Sequence, residues 1–491
     1  MSGPQRTILF LIADTGAGHR SAANAIRNAI HIVAQKRQRE SLERDADEEL
    51  KSEPVQASYR IEIVDVFEEY SHFPLREAIK LYGPAIRYRP KLYGRIYQFS
   101  NQAQRFSAMK SVSTPLVHNG LLRLIKSVKP DVIVSVHPLL NHVTLRILQE
   151  LAIPIPFITV VTDLVSVHHA WFAPGANAYI VPTTYARELA LKQEMDPERV
   201  HLMGMPIDPK FTLNVESKQE LKRKFGLKPG VPVVLLVGGG EGAMGLRSSV
   251  QAISHARLPV QMLIIAGRNK HLYVQLQRIR SSLHVPAKVF GFVQNMHEMM
   301  RASDVIVTKA GPGTICEALA CKLPIILSGY VPGQEEGNVT YVEENKVGSL
   351  AYDSVELINI LRRLLKPGSE LLRLELENAE RISRPGASLD IANCILDFLP
   401  PAESAGVWKT NVGQGTGRAQ SRQIRSGLPA RTLQSNGRSL RSRTAARTLR
   451  RRFKRLAFLQ RPVHDLSKLR SQFLAKQEQD PNVDPQRSTE R

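Results

Sequence analysis

Cysteine is scarce in this 491-residue chain, which has only Cys316, Cys321 and Cys394. None forms a C-x-x-C pair or a zinc spacing with histidine, so a disulfide framework and a structural zinc module are both set aside. A reducing, cytosolic compartment is the matching expectation. Long apolar runs are also missing. A span needs about 18 or more consecutive apolar residues, and the N-terminus passes from Gln5-Arg6 directly into a short apolar strand. Neither a transmembrane helix nor a secretory leader is expected. No Gly-Lys pair occurs, so the P-loop is missing and nucleoside-triphosphate hydrolysis loses most of its support. No G-x-S-x-G elbow occurs, which weakens a hydrolase reading. The one D-x-D match, Asp45-Ala46-Asp47, lies in a charged insertion rather than after a strand, so no metal site is expected there.

What is present is a hydrophobic content of 43 %, enough for globular domains with their own cores. The net charge of +22 is unevenly spread: residues 401–491 hold 20 Lys/Arg against 6 Asp/Glu. That tail, rich in Gly, Ser, Gln and Arg, reads as disordered or weakly helical. Its Arg441–Arg455 stretch suits either an anionic bilayer or RNA phosphates, and nucleic acid is the less favoured partner.

Short apolar runs alternate with helix-length amphipathic segments, the pattern of parallel α/β domains. Strands are expected at Thr7–Ala13, Ile61–Val66, Val132–Val136, Phe157–Thr162, Tyr179–Val181 and His201–Met203. A turn-rich linker, Gly204-Met205-Pro206-Ile207-Asp208-Pro209, precedes a second series at Val231–Val237, Met262–Ala266, Lys288–Phe290, Val305–Thr308, Pro324–Leu327 and Ser349–Ala351. The expected division is residues 1–205, 206–385, a returning helix at 386–400 and the tail at 401–491. Two open sheets in tandem would face each other across a ligand cleft.

Three glycine turns carry the chemistry. The first, Asp14-Thr15-Gly16-Ala17-Gly18-His19, sits between a strand and a helix. It would set free N–H groups and His19 beside a positive helix end. Its dinucleotide reading lacks a third glycine and a downstream acid; a bare turn would leave His19 unexplained. The second is Gly238-Gly239-Gly240-Glu241-Gly242. The third is Thr308-Lys309-Ala310-Gly311-Pro312-Gly313-Thr314-Ile315-Cys316-Glu317. There Thr314 and Glu317 also have the spacing of a helix capping box. Downstream, Pro332-Gly333-Gln334-Glu335-Glu336-Gly337-Asn338 gathers the donors and acceptors that sugar hydroxyls need. His137 and His142 suggest zinc but lack a third ligand, and His169 reads as a solvated neighbour of His168.

Together with Val161-Thr162-Asp163-Leu164, His168, Trp171 and Gly291-Phe292-Val293, these motifs resemble the monogalactosyldiacylglycerol synthases and the related processive diacylglycerol glucosyltransferases. The resemblance runs in order through residues 6–400. It implies a GT-B architecture, two Rossmann-like domains facing an interdomain cleft, and a UDP-sugar donor. It also implies a diacylglycerol acceptor and inversion at the anomeric carbon. Neither cofactor nor metal is expected, since helix N-termini and glycine-loop amides can stabilise the departing UDP. By matching motif, Gly291, Phe292 and Val293 would meet the uracil. Ala310, Gly311, Pro312, Gly313 and Thr314 would line the diphosphate, and Glu317 the ribose; Gly239 and Gly240 of the second turn are expected at the donor because a glycine-rich loop lets backbone approach a phosphate or sugar closely, a flexible turn being the alternative. Gln334, Glu335, Glu336, Gly337 and Asn338 would form the sugar end. His19 and Asp163 are the candidate catalytic groups, with Asp14, Gly18, His168 and Trp171 around the acceptor cleft. Asp208 stands where plant-type galactosyl enzymes have Arg, a form that some glucosyl relatives resemble, so both hexoses stay open.

Residues Arg76 to Arg105 interleave basic and aromatic side chains, among them Arg89, Tyr93, Arg95, Tyr97 and Phe99. They fit peripheral docking on an anionic, cytoplasm-facing membrane surface. Packing of an ordinary amphipathic helix pair on the first domain accounts for them equally.

Overall fold

The computed structural model describes residues 5–14, 18–47, 58–73, 76–77, 81, 89–101, 103–213, 216–238 and 245–400. The expectations for the basic tail, and for Gly239 and Gly240, lie outside them. The first half runs β1 (Arg6–Ile12), α1 (Gly18–Asp47), β2 (Tyr59–Asp65), α2 (Val66–Tyr70), α3 (Pro90–Ser100), α4 (Ala103–Val128), β3 (Val132–Ser135), α5 (Asn141–Leu151), β4 (Phe157–Val160), β5 (Ala178–Val181), α6 (Thr184–Lys192) and β6 (Val200–Leu202). The second runs α7 (Lys218–Lys224), β7 (Val233–Val237), α8 (Leu246–His255), β8 (Gln261–Ile265), α9 (Lys270–Ile279), β9 (Ala287–Phe290), α10 (Met296–Ala302), β10 (Val305–Thr308), α11 (Pro312–Ala320), β11 (Ile325–Leu327), α12 (Glu336–Glu344), β12 (Gly348–Leu350), α13 (Ser354–Leu364), α14 (Glu370–Ile382) and α15 (Ala387–Asp397).

Twelve strands form two six-stranded sheets, ordered β2-β1-β3-β4-β5-β6 and β12-β11-β10-β7-β8-β9. Every pairing is parallel, with Phe10 of β1 between Ile63 of β2 and Val134 of β3. Inner strands covered on both faces are largely apolar, as in VVLLV of β7, while the edge strands β2, β6, β9 and β12 admit polar residues such as Glu62, His201, Lys288 and Ser349. Successive residues feed opposite layers. Ile8, Phe10 and Ile12 join a core with Ile26 and Ile30 of α1 and Ile391 and Ile395 of α15. Leu9 and Leu11 join the opposite core with Leu121 of α4 and Ile147 of α5.

α15 packs along α1 and so closes one layer over the first sheet. Burying an Ile side chain is worth about 1.5–3 kcal/mol, so Ile391 and Ile395, both fully buried, anchor this last helix firmly. Parallel pairing also brings the carboxyl ends of each sheet's strands to one edge, where open α/β sheets bind ligands. The loops after β1, β3 and β4 share the edge of the first sheet; those after β9, β10 and β11 share the edge of the second. This is the GT-B arrangement.

Candidate active site

On the first sheet, Asp14, just beyond β1, is held from outside. The Asp14 N–H donates to Asp65 Oδ2 at 2.8 Å. Oδ1 of Asp65 caps α2, accepting from the Phe67 and Glu68 N–H groups at 3.0 Å. The Asp14 carboxylate holds Arg20 Nε at 2.9 and 2.7 Å. An exposed ion pair contributes at most about 1 kcal/mol, so the clasp acts by fixing the start of α1. Gly18 opens that helix, and a Cβ there would meet nothing within 4 Å.

His19 follows. Its Nδ1 lies 3.3 Å from Thr162 Oγ1, and its ring meets His137 edge-on at 4.8 Å and Trp171 at 6.3 Å. Loss of hydration outweighs a bond to the Val136 backbone and the Asp14 charge, pushing the imidazole down to about 4. At neutral pH His19 is uncharged and can accept a proton. His137 is buried and held below its ordinary value, first by burial and then by His19 and His168. His142 instead helps line a separate surface depression with Thr114 and Arg146. The two histidines that suggest zinc in sequence therefore part company. Among the described residues, no three His, Cys, Asp or Glu side chains are placed to hold a metal ion.

Asp163 follows β4. Its Oδ2 accepts from Trp171 Nε1 at 2.6 Å and, more distantly, from the His168 N–H at 3.5 Å. Burial pushes its carboxyl up to about 6, with both bonds opposing the shift. Trp171 is wholly buried. His168 Nδ1 accepts from the Ala170 N–H at 3.0 Å, which leaves the ring proton on Nε2, 3.3 Å from Ser100 Oγ. His169 is half-buried in the short helical turn His169–Trp171, its N–H donating to Asn101 Oδ1 at 2.8 Å.

On the second sheet, α11 starts at Pro312 with Gly311 as its cap and no side-chain capping bond. The capping box that Thr314 and Glu317 suggest is therefore not formed. The helix begins two residues before Thr314, and both side chains lie on one face of its first turns. The first N–H groups of the helix have no side-chain cap, and a helix start of this kind can take an anion. A Cβ at Gly313 would meet nothing within 4 Å, so the turn is open. Ala310 is buried, and its carbonyl accepts from Asn338 Nδ2 at 2.9 Å. Burial pushes the Glu317 carboxyl up to about 7, opposed by Lys210 and assisted by Asp208. Phe292 is 58 % exposed beyond β9, with the Arg268 guanidinium 5.2 Å from its ring centre, while Val293 packs into the core below. Gly291 joins strand to loop.

The segment after β11 is tied on every side. Glu335 is buried; Oε1 pairs with Lys309 Nζ and Oε2 accepts from the Val331 N–H at 2.9 Å. Both oxygens thus hold the loop together. Glu336 is exposed at the start of α12. Gln334 Oε1 accepts from Tyr93 Oη at 3.0 Å, and the Gly337 N–H donates to Ser166 Oγ at 3.2 Å. Through these bonds the first half meets the second, and α1 also touches α11. Ser166, Arg268 and the cleft-facing role of Tyr93 were not foreseen from the sequence, whereas Thr162 and Lys309 lay inside the motifs without a role of their own and His137 stood out only as a histidine at a strand's carboxyl end.

Residues 19–207 match the family model for monogalactosyldiacylglycerol (MGDG) synthase, and residues 233–387 match that for the glycosyltransferase family 28 C-terminal domain. The chain is 34 % identical to monogalactosyldiacylglycerol synthase 3, chloroplastic, of Arabidopsis thaliana, over 79 % of this chain and 81 % of that one. It is 33 % identical to the Spinacia oleracea monogalactosyldiacylglycerol synthase, chloroplastic, over 79 % of this chain and 72 % of that one. The chain belongs to the monogalactosyldiacylglycerol synthase family. Among solved structures, MurG of Acinetobacter baumannii superposes with a TM-score of 0.50 at 13 % identity, over 80 % of this chain and 99 % of that one. MnaA of S. aureus, solved with UDP, also gives 0.50, at 14 % identity over 80 % and 97 %. Both likenesses are of fold, and the family member here shares the two-sheet frame with them. Among its described residues, no helix is long and apolar enough to cross a membrane.

Proposed function

We propose that this family member moves a hexose, galactose or glucose, from a UDP-sugar to the free hydroxyl of diacylglycerol with inversion. The observation that carries the reading is the uncapped start of α11, an open glycine turn on a helix that touches α1, the helix bearing His19. The diphosphate sits on those N–H groups, Glu317 takes the ribose, and the uracil stacks by Phe292. Gln334 and Asn338 serve the hexose, while Glu335 keeps their loop in shape through Lys309.

In the reaction, the acceptor oxygen attacks the anomeric carbon as the bond to the diphosphate oxygen breaks. The hydroxyl proton passes to a base, and the bonding electrons leave with UDP. Neutral His19 and ionised Asp163 are the two groups able to take that proton; the carboxyl, near 6, lies closer to the working pH. The helix terminus stabilises the charge developing on UDP.

Docking on an anionic bilayer falls to α3. Leu92, Ile96 and Phe99 form an exposed apolar stripe on it, with exposed Arg89 and Arg95 alongside. The acceptor assignment is tested by offering diacylglycerol, a sterol and a polyprenyl phosphate separately with each UDP-hexose. Glycosylation of diacylglycerol is expected. Transfer only to one of the others would replace this acceptor with that lipid.

A further inference from the structure

The interior side of α3 faces the donor loop. Tyr93, Tyr97 and Ser100 form a stripe one residue on from Leu92, Ile96 and Phe99, with the helical spacing that brings them onto one face. Tyr93 Oη donates to Gln334 Oε1 at 3.0 Å, and Tyr97 Oη donates to the Ser166 carbonyl at 2.9 Å. Between them, Gly94 lies backbone to backbone with the Pro332–Gly333 turn. A Cβ on Gly94 would stand 2.8 Å from the Pro332 carbonyl oxygen. A Cβ on Gly333, whose φ is +78°, would stand 2.9 Å from the Gly94 oxygen. Two glycines from different halves of the chain thus permit an approach that no larger pair would.

We infer that Tyr93 is a positioning residue for the donor, and that the first half of the chain completes the sugar end of a site whose nucleotide end belongs to the second. The inference rests on the reading of Gln334 as a hexose contact. The uncapped helix, Glu317 and Phe292 lie wholly on the second sheet's side and bind UDP without help. Gln334 does not: its carboxamide is turned by a hydroxyl from α3, on a loop whose backbone is wedged against Gly94. The hexose therefore meets a surface formed only where α3 and the 332–334 turn are in contact. Discrimination between UDP and UDP-sugar is then a property of the contact between the two halves.

Tyr93→Phe keeps the ring and removes the hydroxyl; Gly94→Ala keeps the helix and forces the turn away. Each is tested in the full chain by calorimetric titration with UDP, UDP-galactose and UDP-glucose, without acceptor, alongside a thermal melt. Loss of one such bond is expected to weaken binding of the preferred UDP-hexose by about 3- to 10-fold. The UDP constant should change less than about twofold, since UDP makes no use of the lost bond. Gly94→Ala should give the same signature. Equal weakening of UDP and UDP-hexose, or no weakening of either, would overturn the assignment. A wild-type chain that binds UDP but neither UDP-hexose would remove the Gln334 reading itself, an outcome visible before any variant is made.

Discussion

Trp171 Nε1 donates to Asp163 Oδ2 at 2.6 Å, the bond that holds a half-buried carboxyl only moderately above its ordinary range. Desolvation raises Asp163, and the indole N–H stabilises the charged form against it. If Asp163 must be ionised for transfer, kcat falls as pH drops through about 6. Trp171→Phe removes a stabiliser of the carboxylate, so the acid limb should move upward, by about one pKa unit for a charge-assisted bond. Asp163→Asn should abolish most turnover. A limb near 4 in the wild type, unmoved by Trp171→Phe, would assign the proton to His19 instead.

Glu317 lies within α11 and does not cap it, so Glu317→Gln should leave the fold intact. Burial raises this carboxyl to about 7, so the neutral amide should equal or exceed it in thermal stability above that pH. Affinity for UDP should fall about 10-fold if the carboxylate accepts from ribose hydroxyls. A lowered Tm with unchanged UDP affinity would make the residue structural.

Glu375 of α14 is buried, its Oε2 without a partner among the described residues, and desolvation pushes it up to about 8. A folded value above the unfolded one gives stability that is fully present below the ordinary Glu range and is lost as pH rises to about 8. Glu375→Gln should therefore raise Tm at pH 8, change it little near pH 4, and flatten the curve between. Melts of both chains across this range read the difference; equal slopes would refute it.

The tail carries 20 Lys/Arg against 6 Asp/Glu, outside both family matches. Removal of residues 401–491 should preserve turnover on a short-chain, detergent-dispersed acceptor. Binding to anionic vesicles should weaken, and the difference should shrink in high salt, where the Debye length is about 3 Å at 1 M. A folded truncated chain without activity on dispersed acceptor would put the tail in the active site.

The inner strands were legible because parallel strands covered on both faces demand largely apolar runs, as in Val233–Val237. The third glycine turn was legible as a strand-to-helix junction, where β10 gives way to α11 at Gly311-Pro312. Spacing alone left a capping box open at Thr314 and Glu317, since a Gly-Pro pair starts a helix as readily as Thr does. His137 was legible only as a histidine after a strand. Its contact with His19 depends on β3 lying next to β1, which is a fact of sheet order. The basic and aromatic residues of α3 were visible, but which stripe faces the cleft is decided by Gly94 and Pro332, far apart in the chain.

The central claim is tested most directly by combining the full chain with diacylglycerol in phosphatidylglycerol vesicles and either UDP-galactose or UDP-glucose. The lipid product is read by mass spectrometry and its anomeric proton by NMR. The expected result is a single added hexose in the β configuration, inverted from the α-linked donor. His19→Ala should reduce its rate by about 10²–10⁴-fold. An α-linked product would contradict inversion. Free hexose and UDP with no glycolipid, from a folded chain that binds UDP-hexose, would contradict the transfer itself.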